Sequence, residues 1–95
     1  MAVAVEMNFR DASLDQYEQV IQKMGLKQRG PTPPGAISHW VAQTDDGFLV
    51  VDVWETKEDF DKFAQEQIGP YSREAGMTSE PEVRFYDVHN YLTAG

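Results

Sequence analysis

The chain has 95 residues, with eight Lys plus Arg against sixteen Asp plus Glu for a net charge of −8, 41% hydrophobic residues and no cysteine. That length predicts a single domain over residues 1–95, and an acidic surface without basic runs or a span of roughly 20 apolar residues argues against nucleic acid or a membrane as partner. The lack of cysteine excludes disulfides, thiolate nucleophiles and Cys-ligated metals, and the start MAVAVEMNFR lacks the basic-then-apolar pattern of a secretory leader, so a cytoplasmic protein is expected.

From Ala2 to Phe9 the residues alternate, with Val3, Val5, Met7 and Phe9 on one side and Ala4, Glu6 and Asn8 on the other, which predicts a half-buried first strand. Ser13 with Gln16 three residues later is a capping box. Leu14, Tyr17, Val20, Ile21 and Met24 then recur at helical spacing until Gly25 offers a left-handed stop, so a helix is expected over Leu14 to Met24. Lys27 to Gly35 holds three prolines and two glycines and reads as a stiff loop. Ala36 to Gln43 and Phe48 to Trp54 read as two strands joined through Thr44-Asp45-Asp46-Gly47 into a hairpin.

Thr56 and Asp59 cap a second helix whose apolar stripe is Phe60, Phe63, Ala64 and Ile68, with Glu58 and Lys62 paired across one turn and Gly69-Pro70 as its end. Pro70 to Ala75 reads as one further helical turn stopped by Gly76, and Glu82 to Leu92 as a long last strand. The order strand, helix, strand, strand, helix, strand is the split β-α-β unit. The expected class is therefore α+β, a ferredoxin-like βαββαβ plan with a four-stranded antiparallel sheet and both helices on one face.

The third strand is apolar on both sides. Leu49, Val51 and Val53 point one way and Phe48, Val50 and Trp54 the other, whereas two helices cover one face only. Burial of Phe48, Val50 and Trp54 is worth roughly 1.5 to 3 kcal/mol per side chain, and a second copy of the chain is their simplest cover, so a homodimer is expected.

The run Val51-Asp52-Val53-Trp54-Glu55 followed by Glu58, Phe60 and Phe63 resembles the strand-to-helix signature of the dimeric α/β-barrel superfamily, which includes antibiotic-biosynthesis monooxygenases and haem-degrading oxygenases. The resemblance implies two sheets meeting across a dimer axis and, in each subunit, a small pocket between sheet and helices. It also implies a role for Asn8, placed like the strand-one asparagine that orients substrate or oxygen in the haem-degrading and cofactor-free members; the bland role is an Asx cap at the strand end. The haem degraders carry a histidine after helix two. The segment Gln65 to Arg73 has none, and no cofactor is expected.

A hairpin with an even-membered loop puts His39 on the same face as Asp52 and Trp54. A two-residue loop sets His39 opposite Trp54, and a four-residue loop sets it opposite Asp52. A carboxylate beside an imidazole fixes its tautomer and favours its protonated form, as a general base requires. The alternative is a sheet histidine tied to a structural aspartate. Glu6 and Asn8 belong to the face away from the helices. Arg84 and Tyr86 share one face of the last strand, and placing them in the barrel pairs a cation with Glu6 or Asp52.

The candidate catalytic residues are thus His39, Asp52 and Asn8, and the candidate substrate contacts are Trp54, Tyr86, Phe63, Ile68, Glu6 and Arg84. Lys23, Lys27 and Arg29 form a positive rim that either attracts an anionic ligand or complements the dipole of the first helix. Two histidines fifty residues apart make no metal signature, and no phosphate loop or nucleophile elbow is present. The expected function is a cofactor-independent enzyme, monooxygenase-like or cyclase-like, acting on a small aromatic or polyketide-type compound. The alternatives are a non-catalytic, ligand-sequestering or stress-associated dimer and a structural domain that docks another protein.

Overall fold

The computed structural model describes residues 1–93 of the chain. Its elements are β1 (Val3–Arg10), α1 (Leu14–Met24), β2 (Ala36–Gln43), β3 (Gly47–Trp54), α2 (Lys57–Phe63), a π-helical turn (Ala64–Ile68), α3 (Gly69–Glu74) and β4 (Glu82–Asp87). The four strands form one antiparallel sheet in the order β2-β3-β1-β4. This is the ferredoxin-like plan, and no helix among the described residues is long and apolar enough to cross a membrane.

Local chemistry sets the first helix. The Ser13 hydroxyl accepts from the Gln16 amide at 3.2 Å, the Gln16 side chain accepts from the Ser13 amide at 3.0 Å, and Gly25 closes the helix at φ 78°. The hairpin closes through a four-residue loop, because Gln43 pairs with Phe48 and the Thr44 amide donates to the Gly47 carbonyl at 3.0 Å. Register then puts His39 directly opposite Asp52.

The second helix does not end at Gly69-Pro70 as the sequence suggests. At the π turn the Gly69 amide reaches back five residues to the Ala64 carbonyl, and the helical path continues through Pro70 to Glu74. Proline supplies no amide and crowds the carbonyl four residues before it; the wider turn accommodates both constraints without stopping the helix. The ion pair on α2 is Lys57–Asp61 at 2.8 Å rather than the expected Glu58–Lys62. The last strand is also shorter than expected and ends at Asp87. Its partner β1 begins at Val3, and after the Val88 amide donates to the Ala2 carbonyl little of the partner is left to pair with.

The core corrects one expectation more sharply. Phe48, Val50 and Trp54 lie on the helix-facing side of β3 and are 1%, 2% and 1% exposed within a single chain, packed with Val3, Val5, Met7, Phe9 and Phe60. They need no second copy. Pairing of β1 with β3 runs Met7 to Val50 and Phe9 to Phe48, so the apolar side of β1 selects this face of β3 for the helices. The open face holds Leu49, Val51 and Val53 with Trp40, Glu6 and Asn8, and Trp40 remains half exposed.

Candidate active site

On the helix-facing side, the β3 row Phe48, Val50, Asp52, Trp54 contains one carboxylate, 4% exposed, among apolar groups. Burying a carboxylate is costly unless its oxygens find donors. Both do. His39 Nδ1 lies 2.5 Å from Asp52 Oδ1, and the Trp54 indole N–H donates to Asp52 Oδ2 at 3.1 Å. Trp54 is fixed in turn by Phe60 and Phe63, whose ring centroids lie 5.8 and 5.1 Å from its own.

The other nitrogen of His39 meets a residue whose spacing marks it only for packing. Tyr17, on the inner stripe of α1, places its hydroxyl 2.5 Å from His39 Nε2. The two rings are parallel within 5° at 6.0 Å, and Phe48 meets Tyr17 edge-on at 5.5 Å. Burial first, then the charges of Glu18 and Asp52, push the Tyr17 phenol up to about 12. Tyr17 therefore keeps its proton; with the imidazole neutral and its Nδ1–H donating to Asp52, the Tyr17 hydroxyl donates to Nε2. The result is a directed chain, Tyr17 O–H to His39 to Asp52, with Trp54 holding the far oxygen.

This chain faces a cavity of about 350 Å³ between sheet and helices, walled by Trp54, Phe63, Ile68, Met24 and Phe48 beside Tyr17 and His39. The loop over β2 adds Lys27 and Arg29 to the lining. Lys23, the third member of the expected rim, instead pairs with Glu74 at 3.5 Å. Arg29 stands at φ 60°, a backbone region that side-chain-bearing residues seldom occupy.

Five of the nine sequence-derived candidates, His39, Asp52, Trp54, Phe63 and Ile68, thus line one cavity. The other four lie across the sheet. Glu6 and Asn8 point to the open face, where register sets Arg84 opposite Glu6 and Tyr86 opposite Ala4. Asn8 and His39 therefore cannot act on one ligand in the same subunit cavity, because the sheet separates them. Arg84 pairs with Glu82 at 3.6 Å, and a hydrogen bond to Tyr86, then the charges of Glu82, Tyr86 and Glu6, raise its pKa further. The Asn8 side-chain oxygen is buried without a hydrogen-bond partner.

No family model and no curated protein matches the sequence. Among solved structures the chain is similar to SnoaB, a cofactor-independent oxygenase from Streptomyces nogalater, at 18% identity and a TM-score of 0.61, covering 96% of this chain and 95% of that one. It is similar as well to a monooxygenase from the gene ActVA-Orf6 of Streptomyces coelicolor, solved with the ligand nanaomycin D, at 24% identity and a TM-score of 0.52 over 99% and 92% of the two chains. A conserved protein from Methanosarcina mazei Go1 matches at 14% identity and a TM-score of 0.61 over 90% and 91%. These likenesses are of fold, and the first two are to the kind of oxygenase that the strand-to-helix run resembles.

Proposed function

We propose, from the fold shared with cofactor-independent oxygenases and from the Asp52–His39–Tyr17 chain on the cavity wall, that this protein is a cofactor-independent enzyme acting on a small aromatic or polyketide-type compound. The observation that carries the reading is the hydrogen-bonded imidazole between Asp52 and Tyr17, facing an apolar cavity. His39 is the acid–base group and Asp52 its orienter. Trp54 both walls the cavity and fixes Asp52, while Phe63 and Ile68 supply apolar surface for a flat ring. Removing a proton from a phenol or enol leaves an anion rich enough in electrons to reduce dioxygen or to attack a carbonyl within the same molecule. The oxygenase reading draws on the neighbours; the acid–base reading draws on the geometry.

A homodimer through the open face belongs to the same reading. Leu49, Val51 and Val53 are only partly covered there, Trp40 is half exposed, and the unpartnered Asn8 oxygen lies on that side. In such a dimer Glu6, Asn8, Arg84 and Tyr86 line the contact between the sheets rather than the ligand cavity. A native mass of one chain at micromolar concentration would remove this part.

His39→Ala tests the enzyme. With polycyclic phenols and enols as substrates and oxygen uptake or product absorbance as readout, turnover falls by at least about tenfold while the far-ultraviolet dichroism stays native. Full activity in that variant would remove His39 from the chemistry.

A further inference from the structure

We propose that Tyr17, not His39, is the group that touches the substrate, and that the substrate presents a phenolic or enolic hydroxyl whose proton leaves through the Tyr17 oxygen to His39. This rests on the reading of the cavity as a ligand site.

An imidazole has two nitrogens, and both are engaged. Nδ1 faces Asp52 and Nε2 faces the Tyr17 hydroxyl, so the lone pair a base would offer is already covered. The Tyr17 oxygen is different. It donates one hydrogen bond to Nε2 and keeps acceptor lone pairs, and Tyr17 lines the same cavity. An incoming O–H can donate to that oxygen without breaking any contact in the chain.

The transfer balances. The substrate O–H bond breaks as a new O–H bond forms on Tyr17, and the original Tyr17 O–H bond breaks as Nε2 gains its proton. Tyr17 ends neutral, His39 ends as an imidazolium against the Asp52 carboxylate, and the substrate ends as an oxyanion. Nothing is oxidised or reduced. The hydrogen bonds have reversed, so Nε2–H now donates to Tyr17, and Tyr17 donates to the new oxyanion and stabilises it.

The groups around Tyr17 favour a relay over a stored tyrosinate. Glu18 on its own helix and Asp52 on β3 are the charges that act on it, and together with burial they hold the phenol protonated. His39 on β2 is the remaining titratable neighbour in direct contact. A chain of hydroxyl and imidazole accepts protons from oxygen acids within hydrogen-bond reach, which selects substrates with an ionisable hydroxyl over carbon acids.

The test uses 4-nitrophenol, whose anion is yellow, and 4-nitroanisole, its analogue with the hydroxyl capped. Wild-type protein is expected to ionise bound 4-nitrophenol about tenfold more readily than water does, a shift of about one pH unit in the yellow band. Tyr17→Phe keeps the ring and the affinity for 4-nitroanisole within about twofold but abolishes the shift. His39→Gln, which leaves the tyrosine without a proton acceptor, also abolishes it. Persistence of the shift in Tyr17→Phe would show direct contact with His39 and overturn the proposal while leaving the cavity a ligand site. Loss of 4-nitroanisole binding in folded Tyr17→Phe would make Tyr17 a wall residue and overturn it equally. Failure of wild-type protein to bind either probe would overturn both the proposal and the ligand site beneath it.

Discussion

Replacing Trp54 by Phe separates the two tasks of that residue, filling the core and holding a buried carboxylate. The indole is 1% exposed and donates to Asp52 Oδ2 at 3.1 Å, with Asp52 itself 4% exposed. Phenylalanine preserves a ring against Phe60 and Phe63 but removes the donor. Losing a hydrogen bond to a charged acceptor costs about 1.5 to 3 kcal/mol. The missing part of the indole, on the order of 40 Å² at about 25 cal/mol per Å², adds about 1 kcal/mol. The expected loss is therefore about 2.5 to 4 kcal/mol, a large share of the roughly 5 to 15 kcal/mol that holds a domain together. Urea unfolding followed by far-ultraviolet dichroism at fixed protein concentration measures it. The decisive measurement is the same substitution in an Asp52→Ala background, where no acceptor remains and only the area contribution of about 1 kcal/mol should survive. An equal cost in both backgrounds, or a cost below about 1 kcal/mol in the native one, would refute the account of Trp54 as the second support of Asp52.

Two further outcomes follow from the same geometry. Tyr17 should ionise near pH 12 in an ultraviolet titration of the folded protein, above the ordinary value of 10.0. Because its folded pKa is raised, the unfolded chain loses that proton first, so stability should be intact below pH 10 and fall as pH rises from 10 toward 12; Tyr17→Phe should flatten that slope, and an unchanged slope would contradict the burial of the phenol. Gly47 pairs with Arg10 at the β1–β3 edge, where an added Cβ would stand 1.8 Å from the Phe9 carbonyl oxygen. Gly47→Ala must push the two strands apart, and a drop in Tm on the order of 10 °C is expected; a change within about 2 °C would show that the edge yields freely.

The elements fixed by local chemistry were legible in the sequence. The capping box of Ser13 and Gln16, the glycine stop at Gly25 and the turn Thr44-Asp45-Asp46-Gly47 act within a few residues; α1 and β2 span the expected residues, and β3 begins one residue early, at Gly47. The His39–Asp52 pair was legible for a related reason. Alternation along a hairpin leaves few registers, and each of those considered brings the two residues near one another. What could not be read locally depends on partners distant in sequence. The face of β3 that meets the helices is decided by the apolar side of β1 across the ladder, since β3 is apolar on both sides. Pro70 reads as a stop until a π turn carries the helix past it. Tyr17 sits at an ordinary packing position of an amphipathic helix, and only the arrival of the edge strand β2 beside it gives its hydroxyl a partner.

Asp52 is the point where stability and chemistry diverge. It occupies an inward position between Val50 and Trp54, the place in the row where an aliphatic side chain would remain dry without assistance. A buried carboxylate held by a histidine and an indole is at best comparable in stability to well-packed hydrocarbon, because desolvation offsets much of what the two donors return. Packing alone therefore gives no reason for an acid at this position. Its consequence is instead directional: with Nδ1–H committed to Asp52, Nε2 of the neutral imidazole is the nitrogen that accepts, and that nitrogen meets the one hydroxyl on the inner face of α1. The buried charge sets the tautomer, the tautomer of the neutral imidazole sets the direction of the Tyr17 hydrogen bond, and that direction leaves acceptor lone pairs on the hydroxyl of a residue that lines an apolar cavity.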